Sequence, residues 1–354
     1  MTTASRQDAL ELARTSYRAI SLYSPDRTPC ELDLSDNTNL WGAAPAAVVT
    51  IRSAASSALT RYPALYAPGL KAALAGHVGV RAENVVTGCG SDDVLDSAIR
   101  AFAEPGDRVA HPEPSFAMIP IFARMNGLDP VAIPLRADLD IDADALLATG
   151  ARIIYICSPN NPTGTLASPG AIERVIDGAP GIVILDEAYA EFAGVNAAAS
   201  APARARLLVV RTMSKAFGLA GLRIGYGCGA PEIVAAVEKS RGPYKVSALA
   251  EQAGTNALRD DRKWVDAHVR QVVELRARFA TELGELGLVP IRSHANFVLV
   301  PVERAQSIAA SMRASGVAVR PFEGLAGIGD ALRISIGPWP VMERCLSALR
   351  EALA

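Results

Sequence analysis

Ile182-Val183-Ile184-Leu185-Asp186-Glu187-Ala188-Tyr189 places a carboxylate at the end of an unbroken apolar run. Such a run, with no polar alternation, reads as a strand buried on both faces, the habit of a parallel sheet covered by helices. Residues 152–157 and 207–211 are similar runs on either side of it, each separated from the next by roughly the 30 residues of a strand–crossover–strand unit. Residues 84–87, 108–111, 131–134 and 224–228 extend the set, and helical periods fall at 92–103, 116–126, 169–177 and 232–240. This alternation predicts an α/β fold with a mostly parallel, doubly wound sheet.

After about residue 246 the texture changes. A long charged amphipathic stretch, 260–286, precedes short strands near 297–300, 317–320 and 332–336 and a closing helix near 341–353, the pattern of a smaller α+β unit. The first 35 residues hold one helical period, then Ser24-Pro25-Asp26 and Thr28-Pro29, and read as an arm that packs on the second unit or on a partner subunit. The expected division is an arm over 1–35, a large domain over 36–245 and a small C-terminal domain over 246–354.

Composition narrows the partners. The 354 residues carry 35 Lys+Arg against 37 Asp+Glu, a balance with no global pull toward nucleic acid or an anionic membrane, which leaves small molecules. Five scattered Cys without a C-x-x-C pair suggest neither disulfides nor zinc, and the four His lack ligand spacing, so no metal site is expected. Neither a signal core nor a membrane span is readable, so the expected location is cytoplasmic. Only five Lys occur, so a lysine in an apolar setting stands out.

In open parallel sheets ligands sit beyond the carboxyl ends of the strands. The segments that follow them are Gly88-Cys89-Gly90-Ser91-Asp92, Ser158-Pro159-Asn160-Asn161-Pro162-Thr163-Gly164, Asp186-Glu187-Ala188-Tyr189, and Thr212-Met213-Ser214-Lys215 with Gly218, Gly221 and Arg223. Each has a plain structural reading: a helix start, an Asn/Pro/Gly turn, a buried ion pair, a snorkelling lysine. Together they form the donor set of one ligand, pyridoxal 5′-phosphate: an amine for its aldehyde, a carboxylate for its pyridinium, donors for its phenolate and an N–H-rich helix start for its phosphate. A nicotinamide site would want G-x-G-x-x-G, and Gly225-Tyr226-Gly227-Cys228-Gly229 offers only G-x-G-x-G inside an apparent strand.

These segments, with Arg61-Tyr62-Pro63, Ala295-Asn296-Phe297 and Leu332-Arg333-Ile334-Ser335-Ile336-Gly337, lie in the order found in a known family. The chain resembles the fold type I pyridoxal-phosphate-dependent aminotransferases along nearly its whole length, and among them the histidinol-phosphate branch. The resemblance implies that Lys215 forms the imine with the cofactor and then shuttles the proton, that Asp186 pairs with the ring nitrogen, and that Tyr189 and Asn161 donate to the ring oxygen. It gives the phosphate to Thr212, Ser214, Arg223 and the Gly90-Ser91-Asp92 backbone, with Tyr62 arriving from the neighbouring subunit of a homodimer, and it stacks Phe116 on the ring. Arg333 would clamp the substrate carboxylate, and Tyr23, Asn39 and Arg320 would hold the rest of the substrate.

The branch implies a ping-pong exchange between L-histidinol phosphate and 2-oxoglutarate. An aminotransferase for aromatic or other amino acids, a decarboxylase of phosphorylated threonine, and a regulatory protein that keeps the fold stay open on sequence, and Arg320 also reads as an ordinary surface residue. Departures from the family pattern fall at Thr38 and Leu40, at Asp93, and at Lys245, whose cation could serve a phosphate pocket.

Overall fold

The computed structural model describes residues 11–18, 20–22 and 28–354, and Tyr23 lies outside them. Its strands are β1 (Leu32–Asp33), β2 (Val85–Cys89), β3 (Arg108–Glu113), β4 (Asp129–Pro134), β5 (Ile153–Cys157), β6 (Ile182–Asp186), β7 (Leu207–Thr212), β8 (Ile224–Gly229), β9 (Phe297–Pro301), β10 (Val317–Ala318), β11 (Arg320–Leu325) and β12 (Gly329–Ser335). The central sheet has seven strands in the order β2-β8-β7-β6-β5-β3-β4. Its pairings are parallel except those of β8 with β2 and with β7. The fold is the α/β, mostly parallel architecture expected.

Alternate residues of the apolar runs feed two cores. Ile154, Ile156, Val183, Leu185 and Val209 pack on one face of the sheet, while Tyr155, Cys157, Ile184, Leu208 and Val210 pack on the other. That is why the runs show no polar alternation. Asp186 follows the parity of Ile184, so its side chain lies on the face of Tyr155 and Cys157.

Strand β8 departs from the parallel pattern for a local reason. Only a short loop with one 3-10 turn, Ala220–Leu222, joins it to β7, too little chain for a helical crossover, so β8 returns antiparallel. Gly225 then lies so close to the start of helix Gly90–Phe102 that a Cβ there would sit 2.1 Å from Gly90 C and Ser91 N. The glycines of that strand serve close packing, not a dinucleotide.

Beyond the sheet, helix Ala248–Asp260 is capped by Ser247, whose Oγ accepts from Ala250 N at 3.2 Å, and rests on the large unit through Asn256 Nδ2 and Thr50 Oγ1 at 2.8 Å. Helix Arg262–Glu285 buries the stripe Val265, Val272, Phe279 and Leu283. Helices Ala305–Ala314 and Trp339–Leu353 pack together beside an antiparallel sheet β11-β12-β9. Near the other end, β1 pairs in parallel with β10, so this part of the chain packs on the C-terminal unit. Among the described residues no helix is long and apolar enough to cross a membrane.

Candidate active site

The carboxyl ends of β2, β5, β6 and β7 open onto one cavity of about 520 Å³, lined by Ser91, Asp92, Phe116, Asn161, Asp186, Tyr189, Thr212, Ser214, Lys215, Arg223 and Arg333. Residues from four separate strand ends thus meet, as the switch-point rule requires. Residues 36–38 and β12 close its other side.

Asp186 is 3% exposed. Its carboxylate accepts from Tyr155 Oη at 2.9 Å and from Ala188 N at 3.0 Å, and among the described residues it has no cationic partner. Burial pushes its pKa up to about 6, against the pull of those two donors. A carboxylate held this way still has lone pairs to offer and calls for a cation.

Lys215 Nζ donates to the Asp36 carbonyl at 3.1 Å and lies 5.7 Å from the centre of the Tyr189 ring. Burial first, then the Arg333 guanidinium, pushes its pKa down to about 8, so a useful fraction is neutral near pH 7. Tyr189 is buried, accepts from Asn37 Nδ2 at 3.0 Å, and burial raises its pKa.

Arg333 reaches the cavity from β12. Its Nη1 donates to Asn161 Oδ1 at 2.5 Å and its Nη2 to the Ser35 carbonyl at 2.7 Å. With Oδ1 so engaged, the Asn161 amide N–H groups are the ones left for the cavity. Arg320 is the direct cross-strand partner of Arg333 in the β11–β12 hairpin, so the two side chains leave the same face about 5 Å apart at Cβ. Among the described residues the Arg320 guanidinium has no hydrogen-bond or ion-pair partner.

On the opposite wall, Thr212 Oγ1 lies 2.9 Å from Ser214 Oγ and accepts from Ser214 N at 3.1 Å. Arg223, with a left-handed backbone (φ 51°), packs its guanidinium over Gly90, where a Cβ would sit 2.3 Å from Nη2, and meets Asp92 Oδ2 at 3.2 Å. Small residues, a helix start and an arginine make an anion cradle that any larger side chain at residue 90 would fill.

Arg320 itself is not among the residues lining the cavity, and three further expected residues lie elsewhere. Asn39 lines a smaller neighbouring pocket, its Nδ2 donating to the Ala216 carbonyl and its Oδ1 accepting from Trp41 N, both at 3.0 Å. Tyr62 is 85% exposed and stacks on Tyr244 in a separate surface groove. Lys245 is no free cation: its Nζ pairs at 2.8 Å with Asp93 Oδ1, whose Oδ2 accepts from Cys89 N, so the two departures from the family pattern answer each other.

Sequence reasoning passed over Tyr155 and Asn37. Tyr155 could have been found by period-two parity with Cys157, but Asn37 has no local signal.

A profile for "Aminotransferase class I and II" matches residues 30–349. The chain belongs to that family. This aminotransferase is 38% identical over 316 residues to a histidinol-phosphate aminotransferase of Ruegeria pomeroyi, covering 86% of each chain. It is 34% identical to one of Desulfitobacterium hafniense, covering 97% of this chain and 98% of that one. Among solved structures, histidinol-phosphate aminotransferase from Sinorhizobium meliloti in complex with pyridoxal-5′-phosphate superposes with a TM-score of 0.88 at 26% identity, 97% of each chain being covered. The donor set of this aminotransferase fits that cofactor: a buried carboxylate lacking a cation, a lysine held partly neutral, and a cradle for a phosphate.

Proposed function

We propose that this chain exchanges an amino group between L-histidinol phosphate and 2-oxoglutarate, in a ping-pong cycle on pyridoxal 5′-phosphate held through Lys215. The observation that carries the reading is Asp186: a buried carboxylate facing the same cavity as a lysine of lowered pKa, with only neutral donors around it. The names of the relatives support the substrate, as does the pairing of Arg320 with Arg333.

Bound there, the cofactor supplies an aldehyde that takes up the amino group and a pyridinium ring that accepts electrons from substrate Cα. Asp186 keeps the ring nitrogen protonated. As a free amine, Lys215 Nζ would carry the proton between substrate Cα and the cofactor's aldehyde carbon, which the amino nitrogen joins. Asn161 and Tyr189 would donate to the ring oxygen, Phe116 would cover the ring, and Gly90, Ser91, Asp92, Thr212, Ser214 and Arg223 would hold the phosphate. Arg333 takes the carboxylate of glutamate through its fork, and Arg320 takes the phosphate of the other substrate.

The reading includes a homodimer, in which exposed Tyr62 of one subunit would reach the phosphate in the other's cavity. It keeps the division into an arm over 1–35, a large domain over 36–245 and a small domain over 246–354, with helix Ala248–Asp260 lying on the large one. A cytoplasmic location agrees with five free cysteines.

Arg320→Ala tests the substrate. Loss of a charge-assisted bond lowers kcat/KM for histidinol phosphate by about 10- to 100-fold and leaves glutamate nearly unchanged. An equal loss for both amino donors removes the phosphate assignment, and CO2 release from a phosphorylated amino acid replaces the reaction with decarboxylation.

A further inference from the structure

Asn37 is 1% exposed and has a left-handed backbone, φ 55°, which costs an ordinary residue free energy unless its surroundings enforce it. The surroundings here are specific. Its N donates to Ser335 Oγ at 2.9 Å, and its carbonyl accepts from Asn296 Nδ2 at 3.1 Å. Ser335 Oγ has its shortest acceptor in the Leu34 carbonyl, at 2.8 Å, and lies 3.3 Å from Asn37 Oδ1. The backbone N–H and carbonyl of Asn37 are therefore committed, Oδ1 faces Ser335 Oγ, and Nδ2 points at Tyr189 Oη, 3.0 Å away.

A phenol has one proton to give. If its neighbour outside the cavity accepted, that proton would be drawn away from the cavity. Because the neighbour is an amide N–H, Tyr189 Oη is the acceptor of that contact, and its own proton is left for an acceptor inside the cavity.

We propose that Asn37 is a positioning residue that sets the direction of the Tyr189 hydroxyl, so that the phenol donates into the cavity to the oxygen of the bound ring. The inference rests on the function proposed above. It also gives the strained backbone a use: only the left-handed turn, pinned by Ser335 of β12 and Asn296 beside β9, brings the amide of residue 37 to Tyr189. The small C-terminal unit thereby fixes a proton on the large one.

The test reads the pH midpoint of the visible absorbance of bound pyridoxal phosphate, which depends on donors to the ring oxygen. The charged or titratable groups facing Tyr189 are Arg333 of β12, Asp186 of β6, Cys157 of β5 and Lys215, and all stay in place in the variants. Asn37→Asp keeps the shape and replaces the donor by an acceptor. Asn37→Gly keeps the left-handed backbone and removes the amide, so it decides the question should a buried aspartate prevent folding.

Both variants are expected to move the midpoint, Asn37→Asp by on the order of one pH unit and more than Asn37→Gly, and neither to move it further in a Tyr189→Phe background. An unmoved midpoint in folded Asn37→Gly, or an equal shift with and without the Tyr189 hydroxyl, overturns the inference while leaving the function standing. Wild-type protein that forms no such band with the cofactor overturns both.

Discussion

Tyr155 and Asp186 lie on one face of adjacent parallel strands, diagonal to each other in the register, the phenol donating to the carboxylate over 2.9 Å inside a fully buried layer. The tyrosine offsets part of the cost of burying an anion, and it holds one carboxylate oxygen still while the other bonds Ala188 N.

Removing that donor raises the Asp186 pKa further. In Tyr155→Phe the pH below which cofactor affinity falls is expected to move up from about 6, because the protonated acid no longer pairs with the ring nitrogen. Cofactor dissociation constants from pH 5 to 8 check this, and an unchanged pH profile contradicts it.

The same group makes function costly to the cofactor-free fold. A carboxyl raised from 3.8 to about 6 binds its proton more tightly folded than unfolded, so its contribution favours folding at low pH and is lost as pH rises through that window. Above it, the buried charge costs on the order of 3 kcal/mol. Cofactor-free Asp186→Asn should melt no lower than wild type at pH 8, and cofactor should stabilise wild type alone. A clearly lower melting temperature of the cofactor-free variant at pH 8 speaks against this.

Lys215 sets the opposite dependence. Only its neutral amine attacks the cofactor aldehyde, so the capture rate should rise with pH and level off above about 8. Arg333→Gln removes a neighbouring cation and should carry the plateau to higher pH, as stopped-flow mixing of cofactor-free protein with pyridoxal phosphate will show. A plateau that stays put would mean burial alone sets the amine.

The Asp93–Lys245 pair stands behind the cradle, not in the substrate pocket. In Lys245→Met the Asp93 charge is left next to the helix start that holds the phosphate, so cofactor should bind about 3- to 10-fold more weakly, with the preference among amino donors unchanged. Titration of cofactor and kinetics with two donors separate these, and a change in donor preference would return Lys245 to the substrate side.

The sheet could be read from the sequence because burial on both faces leaves a direct mark, the unbroken runs that end at Cys157, Asp186 and Thr212. Lys215 and Asp186 could be found because the same rule says where strands end and ligands begin. What escaped depends on pairs distant in the chain. Asn37 meets Tyr189 across 152 residues, and Asp93 meets Lys245 across as many. The reversal of β8 follows from the shortness of its loop, a matter of chain length that apolar patterning does not report. Tyr62 lies outside the cavity, stacked on Tyr244, so its expected contact with the phosphate belongs to the proposed dimer.

Borohydride trapping tests most directly the claim that one lysine and one buried carboxylate serve the same cofactor. With only five lysines in the chain, peptide mapping after reduction in the presence of pyridoxal phosphate gives an unambiguous answer. The label is expected on Lys215 and expected to diminish strongly in Asp186→Asn. A label on another lysine, or full labelling of Lys215 at unchanged cofactor affinity without the Asp186 carboxylate, would contradict the account.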